Sequence, residues 1–549
     1  MEMHNMTKTV LLAMCDEYGI KNCKSKNKTE IIAAIQKHNE TKSQNIQIKI
    51  AEKPSDTVSN KSKTNPIPKK IIKTKKTHII EDTIEKIADT DENVIIQQDE
   101  LENDEEYAET DLETQPCNEP IILPTEVLPL EVKNTTIDEN HIFTVAETFV
   151  GCGGSHFGFK KSGYKSVMAN DIWSDSLKTL KQNDPDLNEN EVICDDIYNI
   201  NAQYLKDKNI DATNVDVFIG GVVCKGFSLA GIRNPYDERN YLYLQQLRLV
   251  GILQPKISII ENVPGMLNMK ILSRNNNESV KELCSKLNDI CDQHKKIRGR
   301  LIAEKKRLTK DMPEKERNEL NDIISATKQE MDALKNERRE MEKNLEINKY
   351  SVVGHIEKIY DTLGYDVYKK VLMCSDYGCY TNRQRLFIVA VRRDLNIKWE
   401  YPAPTTKENK PTVREAFKRL DYAGVNSPLV DNDNKPMNHS ATTVEKFKNI
   451  AAGGKSAEGY FSRGTSSRLA YDKPAPTLVP GHSAFQIHPT EHRSITVREG
   501  ATLTGFDTTF KFYGSHTSRC MQIGNAIPVT MAYAMAEQCK KVLREKNKE

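Results

Sequence analysis

No Cys-x-x-Cys pair occurs among the chain's twelve cysteines, and no secretory leader precedes the body of the sequence. These absences argue against a zinc ribbon, a metal centre and a disulfide framework, and for a reducing interior. No apolar run reaches the ~20 residues that a bilayer crossing needs, so no membrane contact is expected. Neither sign of charge dominates: 79 Lys and Arg against 78 Asp and Glu leave a net charge of +1. A chain of 549 residues has room for a sizeable core with accessory parts. The expectation is a soluble intracellular protein, with nucleus, nucleoid and viral compartment left undistinguished.

The even charge balance conceals opposed blocks. Residues 41–78 are rich in Lys, Ser, Asn and Pro, whereas residues 81–113 are strongly acidic with only Lys86 opposing. Both read as linker, so 41–140 is expected to be a largely disordered tether. Its basic half would add salt-sensitive attraction to phosphates, and its acidic half would mask that in cis. Before it, Thr7 to His38 reads as two short helices around Tyr18-Gly19-Ile20, with Leu11, Leu12, Ile31, Ile32 and Ile35 as a small core. Residues 1–40 thus resemble a SAP-type DNA-binding module, with a plain helical pair as the alternative.

Residues 272–348 carry a different pattern. Leu283, Leu287, Ile290, Ile297 and Leu301 alternate by four and three with His294 in one slot, and Leu320, Ile324, Thr327, Met331, Leu334, Met341 and Leu345 continue the theme. Asp311-Met312-Pro313-Glu314 divides them and suits a helix start. The spacing predicts an antiparallel helical hairpin with arms of ~30 residues, about 45 Å long. A protein partner docking on it, or a clamp on DNA, is the functional expectation attached to it.

Chemistry concentrates elsewhere. Val215 to Ile219 reads as a buried strand, and Gly220-Gly221-Val222-Val223-Cys224-Lys225-Gly226-Phe227-Ser228 turns sharply after it. A second apolar strand, Ile257 to Ile260, ends in Glu261-Asn262-Val263. Ligands collect at the carboxyl ends of strands in an open parallel sheet, so Cys224 and Glu261 are expected to share one pocket. Upstream, Glu147-Thr148-Phe149-Val150-Gly151-Cys152-Gly153-Gly154 links a short apolar stretch to a predicted helix. Asp171 follows a strand-like stretch, Ser166 to Ala169, where a Rossmann-type fold sets an acid on a ribose. By itself such a glycine loop fits a methyl donor, a nicotinamide cofactor or a mere turn.

From about His141 to Glu545 the blocks follow the order and wording of the 5-cytosine DNA methyltransferases, which the chain resembles. Phe149 to Gly154, with Gly151 and Gly153, is similar to that family's first S-adenosyl-L-methionine motif. Asp171-Ile172 resembles its ribose and adenine contacts, and Asp196-Ile197 the pair flanking the adenine. Cys224 matches the nucleophile and Glu261-Asn262-Val263 the glutamate block. Thr381-Asn382-Arg383-Gln384-Arg385 corresponds to the arginine block, retaining both Arg383 and Arg385, with Arg385 at the base-contacting position. Gln522-Ile523-Gly524-Asn525-Ala526-Ile527-Pro528-Val529 completes the set and brings Asn525 to the cofactor pocket. Three positions depart from the family: Val223 replaces a proline, Lys225 a glutamine and Thr381 a glutamine. Valine loosens the cysteine loop. Lys225 would favour thiolate over thiol or hold a DNA phosphate.

The resemblance implies an α/β fold: a Rossmann-like methyltransferase sheet in 141–545, with the hairpin inserted and a small target-recognition lobe. The substrate it implies is double-stranded DNA. Cys224 would add to carbon 6 of a flipped cytosine, with Glu261 at ring nitrogen 3 and Arg385 at the carbonyl oxygen. Target reading is assigned to residues 401–468, where Arg463 and Arg468 flank Gly464-Thr465-Ser466-Ser467 and would either place guanidinium groups in a groove or stand as solvated loop charges. A transfer-RNA cytosine methyltransferase, an inactive DNA-binding relative and a hydride-transferring dehydrogenase remain the alternatives.

Overall fold

The computed structural model describes residues 140–210, 214–222, 238–273, 278–309, 312–422, 432–455, 467–478 and 485–545, with Lys28, Thr29, Ile31 and Ile137. The chain forms two compact units, 1–77 and 78–549. Of the first, Lys28, Thr29 and Ile31 are helical and Ile31 is buried; the rest of the SAP-like segment lies outside the described residues, as does nearly all of the expected linker.

The second unit is built on a sheet. In chain order it begins with β1 (Thr144–Thr148), α1 (Gly154–Lys161), β2 (Lys165–Asp171), α2 (Ser174–Asn183), β3 (Val192–Cys194), α3 (Ala202–Asp207) and β4 (Val217–Gly221). Next come α4 (Leu242–Leu253), β5 (Ile257–Asn262), β6 (Lys270–Leu272), α5 (Glu278–Arg307), α6 (Glu314–Asn344), β7 (Lys349–Ser351), α7 (Val352–Thr362), β8 (Tyr365–Met373), β9 (Thr381–Asn382) and β10 (Gln384–Arg392). The main sheet has the order β3-β2-β1-β4-β5-β10-β8. Its first five strands run parallel, and β10 lies antiparallel to both neighbours. This alternation of strand and helix is what continuous apolar strands covered on both faces produce.

Side chains leave the strands alternately and so feed two cores. Ala146, Phe218, Ile260, Leu386 and Ile388 join Leu247 and Val250 of α4 and Ile356 of α7 on one face. Val145, Val217, Ile219, Ile259, Phe387 and Val389 meet Met531, Met535 and Cys539 on the other. Those last three belong to α12 (Val529–Glu545), which packs along α1. Gly158 of α1 has no room for a side chain there, since an added Cβ would sit 2.5 Å from the Ala532 methyl.

The short antiparallel pair β6 and β7 carries helices α5 and α6 out of the sheet domain. Those helices run antiparallel: Arg300 pairs with Glu330, and the Thr327 hydroxyl donates to Glu304 at 2.8 Å. Leu287, Ile290, Ile297 and Leu301 are buried on α5, while Leu320 and Thr327 are the buried residues of α6. Charged side chains occupy the outer faces, the usual arrangement for a solvated two-helix arm.

A second lobe follows the sheet: α8 (Val413–Tyr422), α9 (Ala441–Lys448), β11 (Ala475–Pro476), α10 (Val497–Leu503) and α11 (His516–Asn525). Most of its apolar core comes from after Arg468, including Leu469, Phe485, Ile495, Val497, Phe506, Phe510 and Phe512. Phe157 of α1 meets Phe510 edge-on at 5.0 Å, so α1 and this lobe share a wall. Arg463 lies outside the described residues. Arg468 does not reach a groove, which corrects the sequence expectation. It is buried, and its guanidinium donates to the carbonyls of Ile450 (2.7 Å), His488 (2.6 Å), Glu491 (2.7 Å) and Phe447 (2.6 Å). The lobe has little regular secondary structure, so its inward-facing carbonyls need a donor, and one planar guanidinium supplies several.

Candidate active site

The carboxyl ends of β1, β2, β4 and β5 form one rim, and β10 enters it from its amino end. Thr148 of β1 is level with Gly220 of β4, and Gly221 is level with Glu261 of β5. Glu261 therefore sits inside its strand, one residue from the end. Phe387 of β10 pairs with Glu261, which sets Arg385 just beyond the rim. Arg385 Nε approaches Glu261 Oε1 to 2.7 Å, with both side chains buried. An added Cβ on Gly221 would lie 3.6 Å from Glu261 Oε2 and 3.7 Å from the Phe149 carbonyl. Glu261, Arg385 and the two glycine turns thus converge. Val222 is buried at the end of β4; Val223, Cys224 and Lys225 lie outside the described residues.

Burial raises the Glu261 pKa above the usual carboxylate range, against the pull of the Arg385 and Arg383 charges. The two arginines divide. Arg383 Nη1 donates to the Gly524 carbonyl of α11 at 2.7 Å, fastening the closing block to the sheet, whereas Arg385 faces the carboxylate.

The glycine loop is held from three directions. Asp171 at the end of β2 accepts from the Gly151 amide and the Trp173 amide, each at 2.8 Å. Cys152 Sγ lies 3.6 Å from the Gln522 carbonyl of α11. Gly154 is crossed by the backbone of the closing block, where an added Cβ would meet the Ile527 carbonyl oxygen at 2.1 Å. Gly153, with φ +95°, starts α1 in a conformation that side chains resist. Gly151, also at positive φ, has nothing within 4 Å of an added Cβ. Space therefore opens in front of it.

The residues that the sequence pattern assigns to a cofactor lie around this loop. The Asp171 carboxylate is bonded to the loop at Gly151, and Ile172 next to it is 69% exposed. Asp196 accepts from the Tyr198 amide at 3.1 Å and stays half-exposed. Ile197 turns into the core, leaving the carboxylate at the edge. Asn525 is exposed at the end of α11. Phe149, with φ 53°, carries the chain from β1 into the loop.

Sequence reading missed the polar support beneath this loop. Glu147 of β1 accepts from Ser155 Oγ at 2.6 Å and lies 3.2 Å from His156 Nδ1. His156 Nε2 reaches Asp184 at 2.7 Å, and Lys160 also pairs with Asp184. Burial alone would lower the His156 pKa, but the bonds to Asp184 and Glu147 outweigh it and hold it up at about 9. The pattern Glu147-x₇-Ser155-His156 on a strand and the following helix was the available signal. Because His156 binds its proton more tightly folded than unfolded (ordinary value 6.5), its contribution is complete below about pH 6.5 and lost as pH rises through 9. Denaturation midpoints taken from pH 6 to 10 should therefore fall across that window, by a few kcal/mol at most. His156→Gln should flatten the fall, and an equally steep curve in that variant would refute the assignment.

A seven-stranded, mostly parallel sheet with a glycine loop after its first strand and a buried acid–arginine pair at the same rim is the layout of an α/β protein whose ligands collect at the strand ends. The comparisons make the class specific. The family profile described as C-5 cytosine-specific DNA methylase matches residues 143–291 and 343–541, and the chain belongs to that family: it is a DNA cytosine-5 methyltransferase. It is 27% identical over 447 residues to "Type II methyltransferase M.DdeI" of Desulfomicrobium norvegicum, covering 72% of this chain and 88% of that protein. To "Type II methyltransferase M.Eco47II" of Escherichia coli it is 25% identical, covering 74% and 81%. The crystal structure of S. pombe Dnmt2 methyltransferase is similar over 73% of this chain and 99% of that one, at 14% identity and a TM-score of 0.42. No described helix is long and apolar enough to cross a membrane.

Proposed function

We propose that methyl transfer from S-adenosyl-L-methionine to duplex DNA runs through a covalent bond between Cys224 and the target cytosine. The buried Glu261–Arg385 pair, 2.7 Å apart beside Gly221 and three residues ahead of the cysteine, is the observation that carries this reading. Carbon 5 of cytosine is too weak a nucleophile to attack a methyl sulfonium unaided. Thiolate addition to carbon 6 forms an S–C bond and pushes an electron pair toward carbon 5. Protonated Glu261 donates to ring nitrogen 3 and Arg385 to the carbonyl oxygen, so charge develops against fixed partners in a dry pocket. The glycine loop, Asp171, Ile172, Asp196 and Asn525 would hold the methyl donor, which would supply the electrophilic methyl group. The carbon 5 proton then passes to water, the electron pair of that C–H bond re-forms the 5,6 double bond, and the thiolate leaves with the electrons of the C–S bond. Stacked bases cannot adopt this geometry, so the cytosine swings out, at a cost on the order of a few kcal/mol. Residues 401–468 and the lobe they enter are the DNA-reading part on this proposal.

Duplex carrying 5-fluorocytosine tests it, because fluorine cannot leave as the proton does and the adduct persists. With S-adenosyl-L-methionine present, the full chain should form a denaturation-resistant complex that Cys224→Ser abolishes. An adduct surviving that substitution would overturn the assignment of Cys224, and no adduct with wild type would overturn covalent catalysis.

A further inference from the structure

Among the described residues, Gln246 is a fully buried polar side chain beside the rim that the reaction does not use. It projects from α4 under the sheet and has no solvent exposure. Its Oε1 accepts from the Thr148 hydroxyl, at the last position of β1 before the glycine loop. Thr148 is level with Gly220 of β4. A side chain at Gly220 would collide with the carboxamide, its Cβ falling 2.5 Å from both Cδ and Oε1 of Gln246 and 2.6 Å from Nε2. The carboxamide is therefore wedged between the ends of the two strands that lead into the methyl-donor loop and the cysteine loop. Its Nε2 is buried and has no hydrogen-bond partner among the described residues. An aliphatic side chain would fill this space without stranding a donor, and a buried unpaired donor persists only where something else requires it.

We infer that Gln246 is a positioning residue that couples occupancy of the methyl-donor loop to the cysteine-bearing end of β4. This inference rests on the methyl-transfer reading above. Thr148 reports the state of the glycine loop to the carboxamide, and the carboxamide bears directly on the Gly220 backbone. Phe149, the next residue, holds φ at 53°, and its carbonyl oxygen lies 3.7 Å from where a Cβ on Gly221 would sit, so a shift of the loop reaches both glycines of β4. The unpaired Nε2 is the donor that the donor-bound arrangement satisfies.

The experiment is a thermodynamic cycle on the full chain. Affinity for a target duplex is measured with and without S-adenosylhomocysteine, which occupies the donor site and transfers nothing. Wild type should bind DNA more tightly with the analogue, on the order of 5–150-fold for a coupled pair of sites. Gln246→Leu, close in volume, and Thr148→Val should each collapse that ratio toward one while each ligand still binds alone. Gln246→Glu discriminates further. An ionised carboxylate keeps the bond from Thr148 but offers no donor, so coupling should be lost at high pH and recover on acidification as the buried carboxyl takes a proton. A merely structural role would lower melting temperatures without a pH-dependent ratio. Coupling unchanged in both Gln246→Leu and Thr148→Val, or a wild-type ratio of one, overturns the inference. Failure of wild type to bind the analogue at all would instead strike the methyl-transfer reading itself.

Discussion

Glu261→Gln should slow methyl transfer by at least on the order of 10²-fold in single-turnover assays, with DNA and donor affinity nearly unchanged. The amide can still donate to ring nitrogen 3 and preserves volume, so ground-state contacts survive. What it cannot do is hand over a proton as the ring accumulates charge. In the native protein, burial holds the carboxyl pKa up while Arg385, 2.7 Å away, keeps it from becoming inert. The opposite substitution behaves differently: Arg385→Met removes the partner and leaves Glu261 buried without its counter-charge, so stability as well as rate should suffer. Near-native single-turnover rates in Glu261→Gln would remove this carboxyl from the chemistry.

Arg468→Met should destabilise the second lobe by roughly 3–5 kcal/mol, the cost of several inward carbonyls losing their donor at once. Binding of a target duplex should fail together with the lobe, and donor binding should weaken with it, because α11, whose Gln522 carbonyl meets Cys152 of the glycine loop, belongs to the same lobe. Lysine should rescue poorly, because its compact ammonium cannot span the carbonyls of Ile450, Phe447, His488 and Glu491 together. Calorimetry that resolves the lobe's transition checks the first point and donor titration the second. An Arg468→Met protein melting with the wild type would mean that the carbonyls find other partners.

These two residues also mark what the sequence discloses. The strands around the site were legible because parallel strands covered on both faces need unbroken apolar runs. Ile257 to Ile260 is such a run, and the strand it announces extends through Glu261 to Asn262. The glycine turns were legible because close backbone crossings forbid a side chain, as Ile527 does at Gly154. Arg468 was misread for an equally physical reason: an arginine among Gly, Thr and Ser looks the same whether it faces a groove or props up an irregular loop. The link from Thr148 to Gln246 spans 98 positions and has no local periodicity to betray it. Nor did any pattern announce the lobe core between Leu469 and Phe512, where β11 is only two residues long and isolated bridges take the place of strands.

The packing of α12 along α1 has a consequence for how the protein comes into being. One wall of the methyl-donor pocket is laid down by Phe149 to Gly154, early in the sheet domain, while the segment that crosses Gly154 and the helix that buries Gly158 arrive several hundred positions later. A nascent chain still held by the ribosome short of Ile527 has the loop but not its lid. On the proposed role of this loop, donor capture waits for translation to pass that point, and a polypeptide cut off before it would leave the ribosome unable to methylate.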